Sequence, residues 1–420
     1  VFRFCFLFVS IFSSLSAQLP VQVTAESAIV INATNGKVLY EKNADTAQFP
    51  ASLTKIATVI YTLTKRPECL YHKVVASHEA IKCFSEEKRR ANNYTSCPNY
   101  VLETGYSHVG LKRGEEKRII DLLYAQMLPS GDDASNVLAE YLGGGSIDRF
   151  VGHLNAFLHA IGCKHTRLYN PHGLHHPDHV TTARDMAILC RYAMQHPLFR
   201  TMAKTVRYEK PQTNKQPKSY YLQTNKLLKK GEHHYPLAVG IKTGYTSHAQ
   251  STLAAAAEKN GTLLIAILLR SPDRISRFRE AKALFEAAFS SKKIEKQFLT
   301  GGAQSFSRTV IGGTRPLRTY LKEAVSYAYA PIDPPVFRCQ LVWDEKKAPI
   351  AANDKVGQIQ LLADGALVKT VPLFATESVE MNLLTYLWQS AQELWIYALL
   401  GLLALMMLSS IFTPKKQSSK

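Results

Sequence analysis

The stretch LAVGIKTGYTSHAQSTLAAAAEKNGTLLIAILL, residues 237–269, reads as three strands in succession. Residues 237–242 are the first, 251–257 the second and 262–269 the third, with Asn260-Gly261 as the tight turn between the last two. Beyond Pro272, Ile275, Phe278, Ala281, Leu284, Phe285 and Phe289 recur at helical spacing. A second hairpin lies near the other end of the same region: residues 28–32 form a strand, Asn35-Gly36 a turn and residues 37–40 the return strand. A helix begins near Pro50, a residue suited to a first turn, and Ile56, Val59, Ile60 and Leu63 make its apolar face. Helical patterns then fill 119–128, 134–142, 147–161 and 182–194. Strands from both ends of the region, around a helical middle, predict a sheet with helices packed about it.

Outward from this α/β region, 22–291, the texture changes. Short alternating apolar stretches at 306–311, 336–343, 356–362 and 367–374 are separated by Gly, Pro and Asp, which predicts a small β-domain over 296–380. Residues 381–393 link it to an apolar run, 394–412, that carries no charge. At about 1.5 Å per residue the run reaches roughly 28 Å, close to a hydrocarbon core of about 30 Å. Trp395 and Tyr397 sit at one edge, and the tail 413–420 carries Lys415, Lys416 and Lys420 at the other. A transmembrane anchor with a cytoplasmic basic tail is expected. At the opposite terminus Arg3 is the only charge before Glu26, and an apolar run from Phe4 gives way to Ser13, Ser14, Ser16 and Ala17. That is the pattern of a signal peptide over 1–17, although Leu15 is large for a position just before cleavage at Ala17. Both ends place the body of the chain outside the cytoplasm, on the periplasmic side of the membrane.

The length of 420 residues suggests two or three domains at roughly 100–200 residues each. Hydrophobic residues are 46% and charged residues 20%, which excludes a disordered chain. The formal net charge of +18 calls for an anionic partner: nucleic acid, a membrane surface or a carboxylate-bearing polymer. An exported chain disfavours the first. The compartment permits disulfides among Cys69, Cys83, Cys97, Cys163, Cys190 and Cys339, but spacing does not give a pairing; Cys5 falls within the signal.

Three short motifs carry chemistry. Ser52-Leu-Thr-Lys55 opens the first helix, and a spacing of three puts both side chains on one helix face. A serine nucleophile needs a base, which a neutral lysine can be. The unpaired N–H groups and positive dipole end of a helix N-terminus suit an oxyanion. Ser130-Gly131-Asp132 falls at the junction of two helical patterns, and Lys242-Thr243-Gly244 closes a strand. Each motif alone describes many surface helices and strands. Together, in this order and in a strand–helix–strand setting, they describe a serine acyl-transfer site.

The chain resembles the D-alanyl-D-alanine carboxypeptidases, the low-molecular-weight penicillin-binding proteins. The likeness rests on Asn35-Gly-Lys-Val-Leu-Tyr-Glu-Lys-Asn-Ala leading to Pro50-Ala-Ser-Leu-Thr-Lys, and on Ser130-Gly-Asp-Asp-Ala. It extends to Pro171-His-Gly-Leu, Thr182-Ala-Arg-Asp-Met-Ala and Gly240-Ile-Lys-Thr-Gly-Tyr-Thr. It covers about residues 28–288, and more loosely reaches 378. The resemblance implies an α/β catalytic domain of the β-lactamase/DD-peptidase type, an antiparallel sheet with helices on both faces, then a small all-β domain. It implies that Ser52 attacks the carbonyl between two D-alanines, with Lys55 as general base and Ser130 relaying a proton to the leaving amine. Lys242, Thr243 and Asp132 would bind substrate, and the backbone N–H groups of Ser52 and Tyr245 would form the oxyanion hole. Like charge from Lys242, burial and the helix dipole would hold a lysine neutral. The implied partners are a peptidoglycan stem peptide ending in D-Ala-D-Ala, β-lactam antibiotics and the membrane, with no nucleic acid, cofactor or metal.

One position departs from the family: Asp132 stands where Asn is usual. A carboxylate cannot donate to a substrate carbonyl, and beside Lys55 it would favour the ammonium; it could instead point toward Lys242 or be protonated. The stretch 83–108 is longer than the family's equivalent, and its charge run Glu86, Glu87, Lys88, Arg89, Arg90 reads as a solvated face. His165, His172, His175, His176 and His179 surround Gly173 and Pro177, so they lie on a loop, without the regular spacing of a metal site. Two other readings compete. A class A β-lactamase would need an ExxLN sequence between Ser130 and Lys242, and none is present. A non-catalytic receptor for muropeptides or β-lactams has only Asp132 in its favour.

Overall fold

The computed structural model describes residues 7–8, 19–94, 98–330, 332–388 and 391. The signal peptide expected over 1–17 lies outside them apart from Leu7 and Phe8, as do Cys97, the apolar run 394–412 and the basic tail. Among the described residues no helix is long and apolar enough to cross a membrane. The chain divides into two compact units, Ser16–Ser291 and Lys292–Lys420, the latter grouped with Val1–Leu15.

The first unit is built on five antiparallel strands: β1 (Ser27–Asn32), β2 (Val38–Lys42), β3 (Ala238–Thr246), β4 (Gln250–Lys259) and β5 (Thr262–Ser271), in the order β3-β4-β5-β1-β2. The two ends of the region thus meet where β5 pairs with β1, Ile265 opposite Ile31 and Ile267 opposite Ile29. Successive side chains of a strand point to opposite faces. Ile29, Ile31, Ala254, Ala256, Ile265 and Ile267 join the helical core, and the alternate residues Ala28, Val30, Ala255, Ala257, Leu264 and Ala266 are buried as well. Burial on both faces explains why these strands are apolar throughout rather than alternating. β3 runs beyond the expected 242 to Thr246, because Thr243 and Tyr245 keep pairing with Leu253 and Ser251.

The helices are α1 (Thr54–Lys65), α2 (Glu86–Ala91), α3 (Ile119–Met127), α4 (Asp132–Leu142), α5 (Ile147–Ala160), α6 (Ala183–Met194), α7 (Pro197–Lys204) and α8 (Ser276–Phe289). α1 lies at the centre, packed against α3, α5, α6 and α7, while α8 covers β4 and β5. That central place buries Lys55, Thr58 and Thr62 along with the apolar face of α1. α7 and a hairpin of Arg207–Lys210 with Ser219–Leu222 were not legible in the pattern. Both are short, and most of the hairpin's residues remain partly or fully exposed.

The second unit is all β, with strands β6 (Ile294–Leu299), β7 (Gly302–Arg308), β8 (Leu317–Leu321), β9 (Val325–Tyr329), β10 (Phe337–Trp343), β11 (Lys355–Ala363) and β12 (Ala366–Ala375). Strands β10-β11-β12-β8-β7 form one antiparallel sheet, with Leu7–Phe8 at the β10 edge, and β6 pairs with β9. Its cores are small, one around Leu321, Ile359, Leu361 and Leu373, another around Val310, Ile350 and Val379.

Candidate active site

The site starts from one turn. Ala51, Ser52 and Leu53 make a 3-10 turn that runs directly into α1, with no side chain capping the helix start. Ala51 has φ of +50°, a left-handed conformation that costs a residue with a Cβ about 1–3 kcal/mol. Its surroundings hold it there. Thr54 Oγ1 donates to Ala51 O at 2.9 Å, and the loop at Gly173 presses on the Ala51 carbonyl so closely that a Cβ at Gly173 would overlap it. Gly173 itself has φ of +98°. Ser130 is a second non-glycine residue in left-handed geometry, at +73°, just before α4.

These two strained turns bring three groups to one nitrogen. Lys55 Nζ lies 2.9 Å from Ser52 Oγ, 2.6 Å from Asp132 Oδ1 and 2.7 Å from the carbonyl of His172. Lys55 is 0% exposed and Asp132 2%. Burial lowers the lysine's pKa and raises that of the carboxyl, each offset by the attraction of the other. Asp132 therefore turns to Lys55, not to Lys242. Next to it, Asp133 accepts from the backbone N–H groups of Val109, Leu111 and Ala134, tying the start of α4 to the preceding segment. Ser130 Oγ is buried with no hydrogen-bond partner among the described residues.

Lys242 enters from β3. It too is fully buried, yet among the described residues it forms no ion pair, and its Nζ donates to the carbonyl of Thr243 at 2.9 Å. Burial first, then the charge of Lys55, lowers its pKa well below the ordinary lysine value. Thr243 Oγ1 lies 2.7 Å from Thr224 Oγ1. Gly244 lets β3 reach Ser52: a Cβ there would overlap Thr252 Oγ1 and stand 3.0 Å from Ser52 N. Tyr245 is 43% exposed, its ring 4.1 Å from the Arg274 guanidinium.

One residue beside Lys242 carried no sequence signal. Arg277 of α8 is buried and donates from one nitrogen to the carbonyls of Gly244 at 2.7 Å and Thr252 at 2.9 Å, adding a cation beside Lys242. The histidine loop is a structural prop. His179 Nδ1 accepts from Tyr169 N, so its Nε2 carries the proton and donates to Thr54 Oγ1 at 2.9 Å. His172 accepts from Leu174 N and donates to Tyr100 O in the same way. Burial holds both imidazoles neutral, His179 down to about 3. Among the described residues no group of three His, Cys, Asp or Glu could hold a metal. Cys69, Cys83, Cys163, Cys190 and Cys339 are free thiols.

The charge run in α2 corrects the sequence reading. Lys88 and Arg90 are exposed, but Arg89 is fully buried, ion-paired to buried Glu103 and donating to the carbonyl of His175 at 3.2 Å. The insertion is therefore anchored in the histidine loop, where His175 stacks on His248 at 3.7 Å and Tyr94 meets both rings edge-on. A five-residue charge run conceals one inward side chain because the α2 helix turns that position away from water.

Residues 13–273 match the family model described as D-alanyl-D-alanine carboxypeptidase, and residues 335–381 match that for the C-terminal domain of penicillin-binding protein 5. The chain belongs to the D-alanyl-D-alanine carboxypeptidase family. It is 26% identical over 367 residues to D-alanyl-D-alanine carboxypeptidase DacF of Bacillus subtilis, covering 85% of this chain and 86% of that one. It is 27% identical over 389 residues to DacC of Escherichia coli, covering 89% and 90%. The Streptomyces K15 DD-transpeptidase structure superposes with a TM-score of 0.55 at 28% identity, over 64% of this chain and 98% of that one. Penicillin-binding protein 5 of Haemophilus influenzae superposes with a TM-score of 0.56 over 87% of this chain and all of that one; at 23% identity this bears on the fold alone. The protein is a serine hydrolase of this carboxypeptidase type, and neither the receptor nor the β-lactamase reading is favoured.

Proposed function

We propose that this enzyme removes the terminal D-alanine from peptidoglycan stem pentapeptides through an acyl-enzyme on Ser52, and that β-lactams acylate the same serine. The observation that carries the residue assignment is Lys55 Nζ at 2.9 Å from Ser52 Oγ, inside a site closed to water on the lysine side. Ser52 Oγ bonds to the carbonyl carbon between the two D-alanines as its proton passes to Lys55. The oxyanion forms at the helix start, where the N–H of Ser52 and that of Tyr245 are the donors. Ser130 Oγ, buried and without a hydrogen-bond partner among the described residues, relays a proton to the departing amine nitrogen. Lys242, buried with no ion pair among the described residues, and Thr243 receive the terminal carboxylate, with Arg277 adding positive charge behind them. Water then attacks the ester and releases the shortened peptide. Asp132, the remaining member of the expected substrate-binding set, faces the base instead.

Export and a tether through 394–412 belong to the same proposal, supported by the uncharged apolar run and the lysines beyond it. The catalytic unit would then face the periplasmic wall. Incubation with a pentapeptide should release D-alanine, and penicillin should leave a covalent adduct that mass spectrometry finds on the Ser52 peptide. An adduct elsewhere sinks the assignment. Extraction from membranes by salt alone would remove the tether.

A further inference from the structure

We propose that Asp132 is a positioning residue for the base: its carboxylate accepts one N–H of Lys55, the His172 carbonyl accepts another, and the lone pair of the neutral amine is left facing Ser52 Oγ. This rests on the peptidase reading above and deepens it. The support is a count of positions around one nitrogen. An amine nitrogen has three positions besides its own carbon, and here three oxygens occupy them at 2.6–2.9 Å. The carbonyl of His172 can only accept, and so can an ionised carboxylate. When Lys55 is neutral, both of its N–H groups are claimed by these two acceptors, and only the direction of Ser52 remains for the lone pair. An amide in place of Asp132 has both an acceptor and donors, so it does not impose that orientation.

The carboxylate has a second consequence. The competent state is neutral Lys55 beside ionised Asp132, because a protonated carboxyl would donate into the same lone pair. The pair must therefore lose the one proton that its members share, and that loss belongs to the pair rather than to either residue. A neutral side chain at 132 makes the loss easier. The ammonium then faces Lys242 from β3 with no adjacent anion, while His172 and His179 on the loop are neutral. The other charged or titratable groups about the pair are Asp133 on α4 and Cys83, Glu103 and His108 on the chain before α3. None of these is hydrogen-bonded to Lys55. The anion therefore trades base at neutral pH for stabilisation of the ammonium formed when Ser52 gives up its proton. The step balances: the Oγ–H proton goes to Nζ as the Oγ–C bond forms, and it leaves through Ser130 to the amine.

The test is the pH dependence of kcat/KM for D-alanine release by the full chain, from about pH 5 to about pH 10, with wild type, Asp132→Asn and Asp132→Ser. Removing an anion in contact with Lys55 should move the rising limb to lower pH by about 1–3 units in both variants. The plateau above both limbs should fall, since the newly formed ammonium loses its partner. The serine variant, smaller and neutral, keeps the test open where the amide packs badly, and a thermal melt establishes that each variant is folded. A limb that stays in place or moves to higher pH overturns the proposal, as does a change confined to KM, which would put Asp132 on the substrate. Acylation by a fluorescent penicillin over the same pH range reads the same limb without the peptide. If the wild type acylates but releases no D-alanine at any pH, the peptidase reading fails, and the acylation limb still decides the role of Asp132.

Discussion

The start of α1 and the end of β3 each bury a whole lysine, and they treat it in opposite ways. Lys55 has a carboxylate at 2.6 Å and two further oxygen neighbours, so every position about its nitrogen is used. Lys242 has no ion pair among the described residues and donates only to the neighbouring Thr243 carbonyl. Taking an ammonium out of water costs several kcal/mol unless a partner offsets it. The first region contains its own compensation and is complete before substrate arrives. The second leaves the compensation to be supplied, which suits a place where a substrate carboxylate binds. In the proposed mechanism one lysine exchanges a proton and the other receives a charge.

The most severe way to break this contrast is at the complete lysine. Lys55→Ala should lower the rate of acylation by about 10²–10⁴-fold, the usual scale for a lost general base, whether or not the ligand carries a terminal carboxylate. Stopped-flow acylation by a penicillin and by an amidated peptide measures this. Next comes the glycine that sets the spacing between the two regions. Gly244→Ala puts a Cβ against Thr252 and Ser52 N, and a shift of about 1 Å at the nucleophile is worth up to about 10²-fold in kcat/KM. A variant of near wild-type rate would mean that β3 need not approach Ser52 so closely.

Lys242→Gln sharpens the comparison from the other side. It should cost roughly 10–100-fold in kcat/KM with a free carboxylate, the scale of one charge-assisted hydrogen bond, and much less when that carboxylate is amidated. Equal losses with both substrates would show that Lys242 serves something other than the carboxylate. Arg89→Met probes a buried ion pair that makes no hydrogen bond to Lys55 or Asp132. It strands Glu103 without a partner and should destabilise the fold by about 3–5 kcal/mol in denaturant titrations. Movement of the pH limb of kcat/KM should be small beside that of Asp132→Asn, since Glu103 acts on Asp132 only through space, and a shift as large would couple the α2 insertion directly to Lys55. The smallest effect is expected from truncation after residue 393: kcat/KM unchanged, and the protein lost from the membrane fraction.

Much of the site could be read from local order. Serine and lysine three apart at a helix start, a serine before another helix and a lysine in a strand, taken together, name the side chains proposed to react, because each spacing fixes a face or an end of its own element. The apolar stretches of β3, β4 and β5 marked strands of a sheet with helices packed about it for the same reason. Those properties belong to a few consecutive residues, so the sequence by itself determined them. The partner of Asp132 was another matter. Lys55 and Lys242 were both open to it, and 77 positions separate Asp132 from the one it meets. The inward turn of Arg89, the approach of Gly244 to Ser52 and the place of Arg277 behind β3 were equally hidden. Each depends on how separate elements pack, and packing distances are set by the whole core around α1. Only the tertiary structure decided that one buried lysine would have an anion and that the other would have none among the described residues.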